Sequence, residues 1–182
     1  IVAYANSRHI SIFPEIDMPG HMGAAIRAYP ELNHPKDVND KQYAIRGDAM
    51  GREFAKKVLT EINDLFDSKY IHIGFDEVNY GAKAELYTDP ELLDFAKEIT
   101  TFIKDDLKKT PIVWDDLFMH GFEDKDTVVQ WWRYGKNYWW KRLPSTVDEA
   151  LNKQQQPFIF SPANWTYFDM KNIKGGWAGW IL

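Results

Sequence analysis

Short β-type runs alternate with amphipathic helical runs along this chain, at a spacing of roughly forty residues, and that alternation restricts the fold more than any other feature. His9–Ile16 (HISIFPEI) reads as a strand, after an opening IVAYANSRHI that reads as the end of a helix. Asp48–Phe66 reads as a helix with Asp48 as N-cap and Met50, Phe54, Val58, Ile62 and Leu65 on one face. Tyr70–Gly74 is the next strand. Asp89 and Pro90 supply a cap and an N1 proline for a second helix, whose stripe is Leu92, Leu93, Ala96, Ile99, Ile103 and Leu107. Pro111–Trp114, Thr127–Trp131 and Phe158–Ser161 are three further strands, and Thr146 with Glu149 forms a capping box for a short helix running to about Gln154.

Such a repeat predicts a parallel α/β fold. The polar residues then choose between a barrel and an open sheet. Each strand ends in reactive or aromatic residues: Glu15 and Asp17, Asp76 and Glu77, Trp114 and Asp115, Trp131 and Trp132. A (β/α)8 barrel brings every strand's C-terminal end to one mouth. An open doubly wound sheet gathers such residues at its switch point, usually beside a glycine-rich phosphate loop, and the sequence holds no such loop. The expectation is a partial (β/α)8 TIM barrel: five strands of eight, about three lying outside this chain and the true N-terminus lying upstream. Residues 1–182 read as one domain.

Composition narrows the partners. The net charge is −5 and the basic residues form no patch, so nucleic acid is not an expected partner. Without cysteine there is neither a disulfide nor a thiolate metal site. That absence does not fix the compartment, for which an extracellular or cell-surface setting is preferred to the cytoplasm. No apolar run approaches the length of a membrane span. Eight tryptophans suit either an aromatic-rich core or stacking on a flat apolar ligand face such as a sugar.

Two segments carry the chemistry. Tyr70–Val78 (YIHIGFDEV) is an apolar strand ending in adjacent carboxylates, Asp76 and Glu77. Neighbouring acids repel and burial raises a carboxyl pKa, as a general acid near neutral pH requires; a solvated strand end or helix cap gives the same letters. In Glu15–His21 (EIDMPGH), Glu15 and Asp17 share a strand face and His21 follows the Pro19–Gly20 turn. His21 reads either as a structural turn residue or as an imidazole that orients a catalytic acid. A metal bound by Glu15, Asp17 and His21 is the third reading, on a weak spacing signal.

EIDMPGH followed by YIHIGFDEV resembles the family 20 glycoside hydrolases, the β-N-acetylhexosaminidases, and PIVWDD at Pro111–Asp116 and SPANWTYFDMK at Ser161–Lys171 follow in the same order. The resemblance implies that Asp76 orients the substrate acetamido group, that Glu77 is the general acid/base, and that Tyr167 hydrogen-bonds the acetamido carbonyl. It implies that Asp169 holds distal sugar hydroxyls, that Trp114 and Trp132 wall the N-acetyl pocket, and that Glu15 and His21 support the general acid. Phe75 departs from the pattern, standing where the family usually has glycine beside the catalytic pair, and is expected to reshape the pocket floor. The strands that usually carry a sugar-binding arginine and a last pocket tryptophan and glutamate are not in this chain; Trp177 and Trp180 sit in no matching motif.

The implied activity is retaining, substrate-assisted hydrolysis of terminal β-linked N-acetylhexosamine from glycans, with no metal or organic cofactor. The rival is a protein that binds N-acetylhexosamine without hydrolysing it. The isolated segment is expected to be inactive.

Overall fold

The computed structural model describes residues 1–35, 44–78, 90–119, 121–133 and 157–167. Within them lie strands β1 (Glu15–Met18), β2 (Tyr70–Gly74), β3 (Thr110–Trp114), β4 (Val128–Trp131) and β5 (Phe158–Phe160). Helices are α1 (Val2–Asn6), α2 (Gly23–Ala28), α3 (Ala49–Leu65), α4 (Pro90–Asp105), α5 (Asp115–Met119) and α6 (Ala163–Thr166), with a 3-10 turn at Pro30–Leu32. The strands form one sheet in the order β1-β2-β3-β4-β5, every pair parallel. Parallel strands that follow one another in chain order across a sheet are the arrangement of five consecutive strands of a (β/α)8 barrel.

Register assigns the faces. Glu15 pairs with His72, His72 with Ile112, and Ile112 with Val128, so these share one face. Val113, Val129 and Phe158 pair across β3, β4 and β5 on the other face. That second face meets the helices: Ile71, Ile73, Val113, Val129 and Trp131 join Leu59, Leu92, Phe95, Ile99, Ile103 and Leu117 in the buried core. Phe158 closes it with an edge-on contact to Phe118, ring centroids 5.6 Å apart.

Several elements run as their sequence dictates. Asp48 caps α3 by accepting from the Met50 amide at 3.2 Å. The buried ridge of α3 is Gly51, Ala55 and Leu59, however, and Met50 and Leu65 of the expected face are exposed. The small residues bring the helix backbone close: a Cβ on Gly51 would stand 1.8 Å from the Arg46 carbonyl oxygen. In α4 the expected Leu92, Ala96, Ile99 and Ile103 are buried, joined by Phe95 and Thr100. Thr100 satisfies its hydroxyl against the Ala96 carbonyl at 2.9 Å.

β1 begins later than expected, at Glu15 and not at His9. Its partner β2 starts only at Tyr70, so residues upstream of Pro14 have no ladder to join, although Pro14 still accepts from the His72 amide at 2.9 Å. The Thr146–Gln154 helix lies outside the described residues.

Candidate active site

The C-terminal ends of the strands converge on a cluster of carboxyls. Leaving β2, the chain takes left-handed backbone angles at Gly74 (φ 71°), Phe75 (φ 70°) and Glu77 (φ 48°). This curl resolves a geometric problem, since adjacent residues of a straight strand point to opposite faces. Only glycine fits at position 74, where a Cβ would lie 1.7 Å from Asp17 Oδ1. Asp17 in turn accepts from the Phe75 amide at 3.2 Å, tying β1 to the curl. His72 adds a second tie by accepting from the Gly74 amide at its Nδ1, 3.0 Å away.

His21 stands at the centre, itself at φ 53° beyond the turn after β1. Its Nδ1 lies 2.5 Å from Asp17 Oδ2 and 3.7 Å from Asp76 Oδ2, and its Nε2 lies 3.8 Å from Glu77 Oε2. Burial pushes Asp76 up to about 8, with the Asp17 and Asp116 carboxylates adding to the rise. Burial also raises Asp17, against the hydrogen bond and charge of His21. The Asp17 and Asp76 carboxyls, both raised, therefore share protons as a pair, with His21 beside both. Their ligand-capable atoms lie within 4.8 Å of one another, so among the described residues this is the set that could hold a cation. The expected third member, Glu15, is not in it.

Glu15 lies one strand position deeper. It accepts from Trp114 Nε1 at 2.8 Å, and its Oε1 is 3.6 Å from His72 Nδ1. Burial raises the Glu15 carboxyl, partly offset by the Trp114 bond. His72 is almost fully enclosed and leans on the Trp114 ring at 4.8 Å; burial pushes it down to about 3, so it is neutral. With Nδ1 accepting from an amide, the proton sits on Nε2.

A second buried set backs the curl from the β3 and β4 ends. Asp116 Oδ1 accepts from the Glu77 amide at 3.0 Å, and Asp116 Oδ2 accepts from Trp132 Nε1 at 2.8 Å. Arg133 bridges Asp115 at 2.8 Å and Asp116 at 2.7 Å. Burial pushes Asp115 up to about 7 even against the Arg133 charge.

A half-buried Asp76 and an exposed Glu77 share one curled strand end with an imidazole between carboxylates and two flanking indoles. The family model "Glycosyl hydrolase family 20, catalytic domain" matches residues 1–178. The chain belongs to glycosyl hydrolase family 20. A beta-hexosaminidase of Vibrio furnissii is 32% identical over 196 residues, covering 93% of this chain and 30% of the relative. One of Porphyromonas gingivalis is 34% identical over 152 residues, covering 72% of this chain and 19% of the relative. Among solved structures, Streptomyces plicatus N-acetyl-beta-hexosaminidase in complex with Thio-NAglucal superimposes with a TM-score of 0.77 at 30% identity, covering 98% of this chain and 36% of that one. The chain thus spans well under half the length of the relatives it matches.

Measured against the family pattern, the structure gathers Asp76, Glu77, His21, Glu15, Trp114 and Trp132 at one edge of the sheet. Tyr167 follows α6 beyond the same end of β5 and is 36% exposed. Asp169 lies outside the described residues. Phe75 corrects an expectation: its side chain is fully buried and packs on Phe95 at 5.9 Å, so it belongs to the core under α4 and not to a pocket floor. Sequence reasoning missed His72, Asp116 and Arg133. The first two lie within the motifs YIHIGFDEV and PIVWDD, but their roles depend on neighbouring strands that no local pattern names.

Proposed function

We propose that this chain supplies most of the catalytic apparatus for hydrolysing terminal β-linked N-acetylhexosamine with retention, by a substrate-assisted route. The observation that carries the reading is the curl after β2, which brings the neighbouring carboxyls of Asp76 and Glu77 to the two nitrogens of a single imidazole, His21. Two carboxyls so close in the chain are poorly placed to flank a scissile bond as acid and nucleophile, a task that calls for about 5–5.5 Å of separation across the anomeric carbon. The nucleophile is then the substrate's own acetamido oxygen.

In this reading the acetamido oxygen attacks the anomeric carbon as the glycosidic C–O bond breaks, and Glu77 passes its proton to the departing oxygen. Glu77 is the more exposed of the two acids, its side chain 48% accessible against 21% for Asp76, as suits a group that exchanges protons with leaving group and water. Asp76 accepts the acetamide N–H. Its Oδ1 is buried without a hydrogen-bond partner among the described residues, an acceptor in want of a donor. Positive charge developing on the bicyclic oxazolinium intermediate favours the ionised carboxyl that burial otherwise disfavours. Water then opens the intermediate at the anomeric carbon and returns its proton to Glu77. Tyr167 holds the acetamido carbonyl, Trp114 and Trp132 pack the acetyl group, and Asp169 takes distal hydroxyls. No step calls for a metal or organic cofactor.

The test is made on the whole protein with paired aryl β-glycosides differing only at C2. The 2-acetamido substrate is expected to turn over at least about a thousandfold faster than the 2-hydroxy one. Comparable rates would refute the route, and tight binding of N-acetylhexosamine without turnover would favour a non-hydrolytic sugar-binding role.

A further inference from the structure

The Asp116 carboxylate is buried, sits in the first turn after β3, and is not needed for any step above. Its partners come from two other strand ends, those of β2 and β4. Oδ1 receives the Glu77 amide at 3.0 Å from beyond β2 and the Arg133 guanidinium at 2.7 Å from beyond β4. Oδ2 receives the Trp132 indole N–H at 2.8 Å. Arg133 supplies the counter-charge that a buried carboxylate requires, and its second arm is held by Asp115 at 2.8 Å.

We propose that Asp116 is a positioning residue that locks the backbone of Glu77 and the indole of Trp132 into one rigid unit. This deepens the reading of Glu77 as the general acid and rests on it. Two features make the lock specific. Glu77 holds φ 48°, a left-handed conformation that an L residue keeps only where its surroundings fix it, and the Asp116 bond is made to that same residue's amide. Trp132 is fixed from its polar edge by Asp116, while the Arg133 guanidinium lies 5.4 Å from the ring centroid. A shift of the pocket wall is thereby a shift of the proton donor: seating an acetyl group against Trp132 and aiming Glu77 at the leaving oxygen become one event.

The chemistry of the carboxylate selects the test. Both Asp116 oxygens face N–H donors, so an amide in its place sets N–H against N–H on one side. Asp116→Asn, Trp132→Phe and the double variant are assayed in the whole protein on two 2-acetamido β-glycosides. One carries a 4-nitrophenol leaving group, which needs little acid help; the other carries an unactivated alcohol, which needs much. Asp116→Asn is expected to lower kcat by about 100-fold on the alkyl glycoside and less than about tenfold on the aryl one. Trp132→Phe, which keeps a ring and removes the N–H, shifts the ratio the same way by a smaller factor. The double variant loses no more on the alkyl glycoside than Asp116→Asn alone, because the link is already broken. Equal losses on both leaving groups, or single losses that multiply in the double variant, overturn the proposal and leave Asp116 a structural ion-pair partner. Should Asp116→Asn fail to fold, the Trp132→Phe ratio decides, and an unchanged ratio overturns it. A wild-type protein that cleaves neither glycoside fails the underlying reading instead, so the two failures are told apart.

Discussion

Asp76 is a carboxyl whose protonation is set by its surroundings, and this has a consequence for stability as well as chemistry. Burial, then the Asp17 and Asp116 carboxylates, lift it to about 8. A carboxyl held above its unfolded value favours the fold while protonated, so its contribution is present below about pH 4 and is lost as pH rises through about 8. Asp76→Asn, neutral at every pH, is therefore expected to melt close to wild type at pH 4 and on the order of 5 °C higher at pH 9. A melting difference that does not grow with pH would contradict this. Phe75 makes the opposite trade. It accepts φ 70°, which costs an L residue about 1–2 kcal/mol, to bury a whole ring against Phe95. Phe75→Gly removes that strain and the ring together; with about 3–5 kcal/mol lost from the core, a net destabilisation of about 1–4 kcal/mol is expected. Chemical denaturation measures it, and KM should hold within about twofold because the ring faces the core.

The helices show how close packing overrides ordinary propensity. Glycine inside a helix usually costs about 1 kcal/mol relative to alanine. In α3, Gly51→Ala is expected to destabilise instead, by about 1–3 kcal/mol, because the new Cβ would meet the Arg46 carbonyl at 1.8 Å and push the helix start off its loop. A denaturation midpoint at or above wild type would show that the loop yields freely. The outer faces of α3 and α4 are joined by paired charges, Arg52 to Glu98 at 2.5 Å and Lys56 to Glu98 at 2.6 Å, beside a groove that Phe102 also lines. What the sequence showed of these elements was their caps and their type: Asp48 caps α3, and Tyr70–Gly74 has the expected bounds. What it hid was which stripe of α3 is buried. Periodicity favours large apolar residues, whereas the buried ridge is Gly51, Ala55 and Leu59, and Gly51 lies against the Arg46 carbonyl.

At the scale of the molecule, the alternation of strands and helices and the reactive residue at every strand end were enough to choose a parallel sheet with one chemical edge. The pairing across that edge was not legible. That Asp17 and not Glu15 holds His21, and that Asp116 reaches both Glu77 and Trp132, follow from strand stagger and from the left-handed curl after Gly74. The curl also decides the last test. If Asp76 were a nucleophile, it would form a covalent sugar ester, and removing its charge would abolish reaction while leaving inhibitor binding largely intact. If it serves the acetamide, a thiazoline that mimics the bicyclic intermediate should bind far more tightly than the product sugar, because charge develops where Asp76 waits. Asp76→Asn should then weaken thiazoline binding by about 100-fold, the worth of one charge-assisted hydrogen bond in a partly buried site, and should weaken product binding much less. Inhibition constants for the two ligands on wild type and variant measure the difference, and mass spectrometry of a stopped reaction provides the second arm. A sugar adduct trapped on Asp76, or a thiazoline indifferent to the substitution, would place the nucleophile on the protein and overturn the substrate-assisted route.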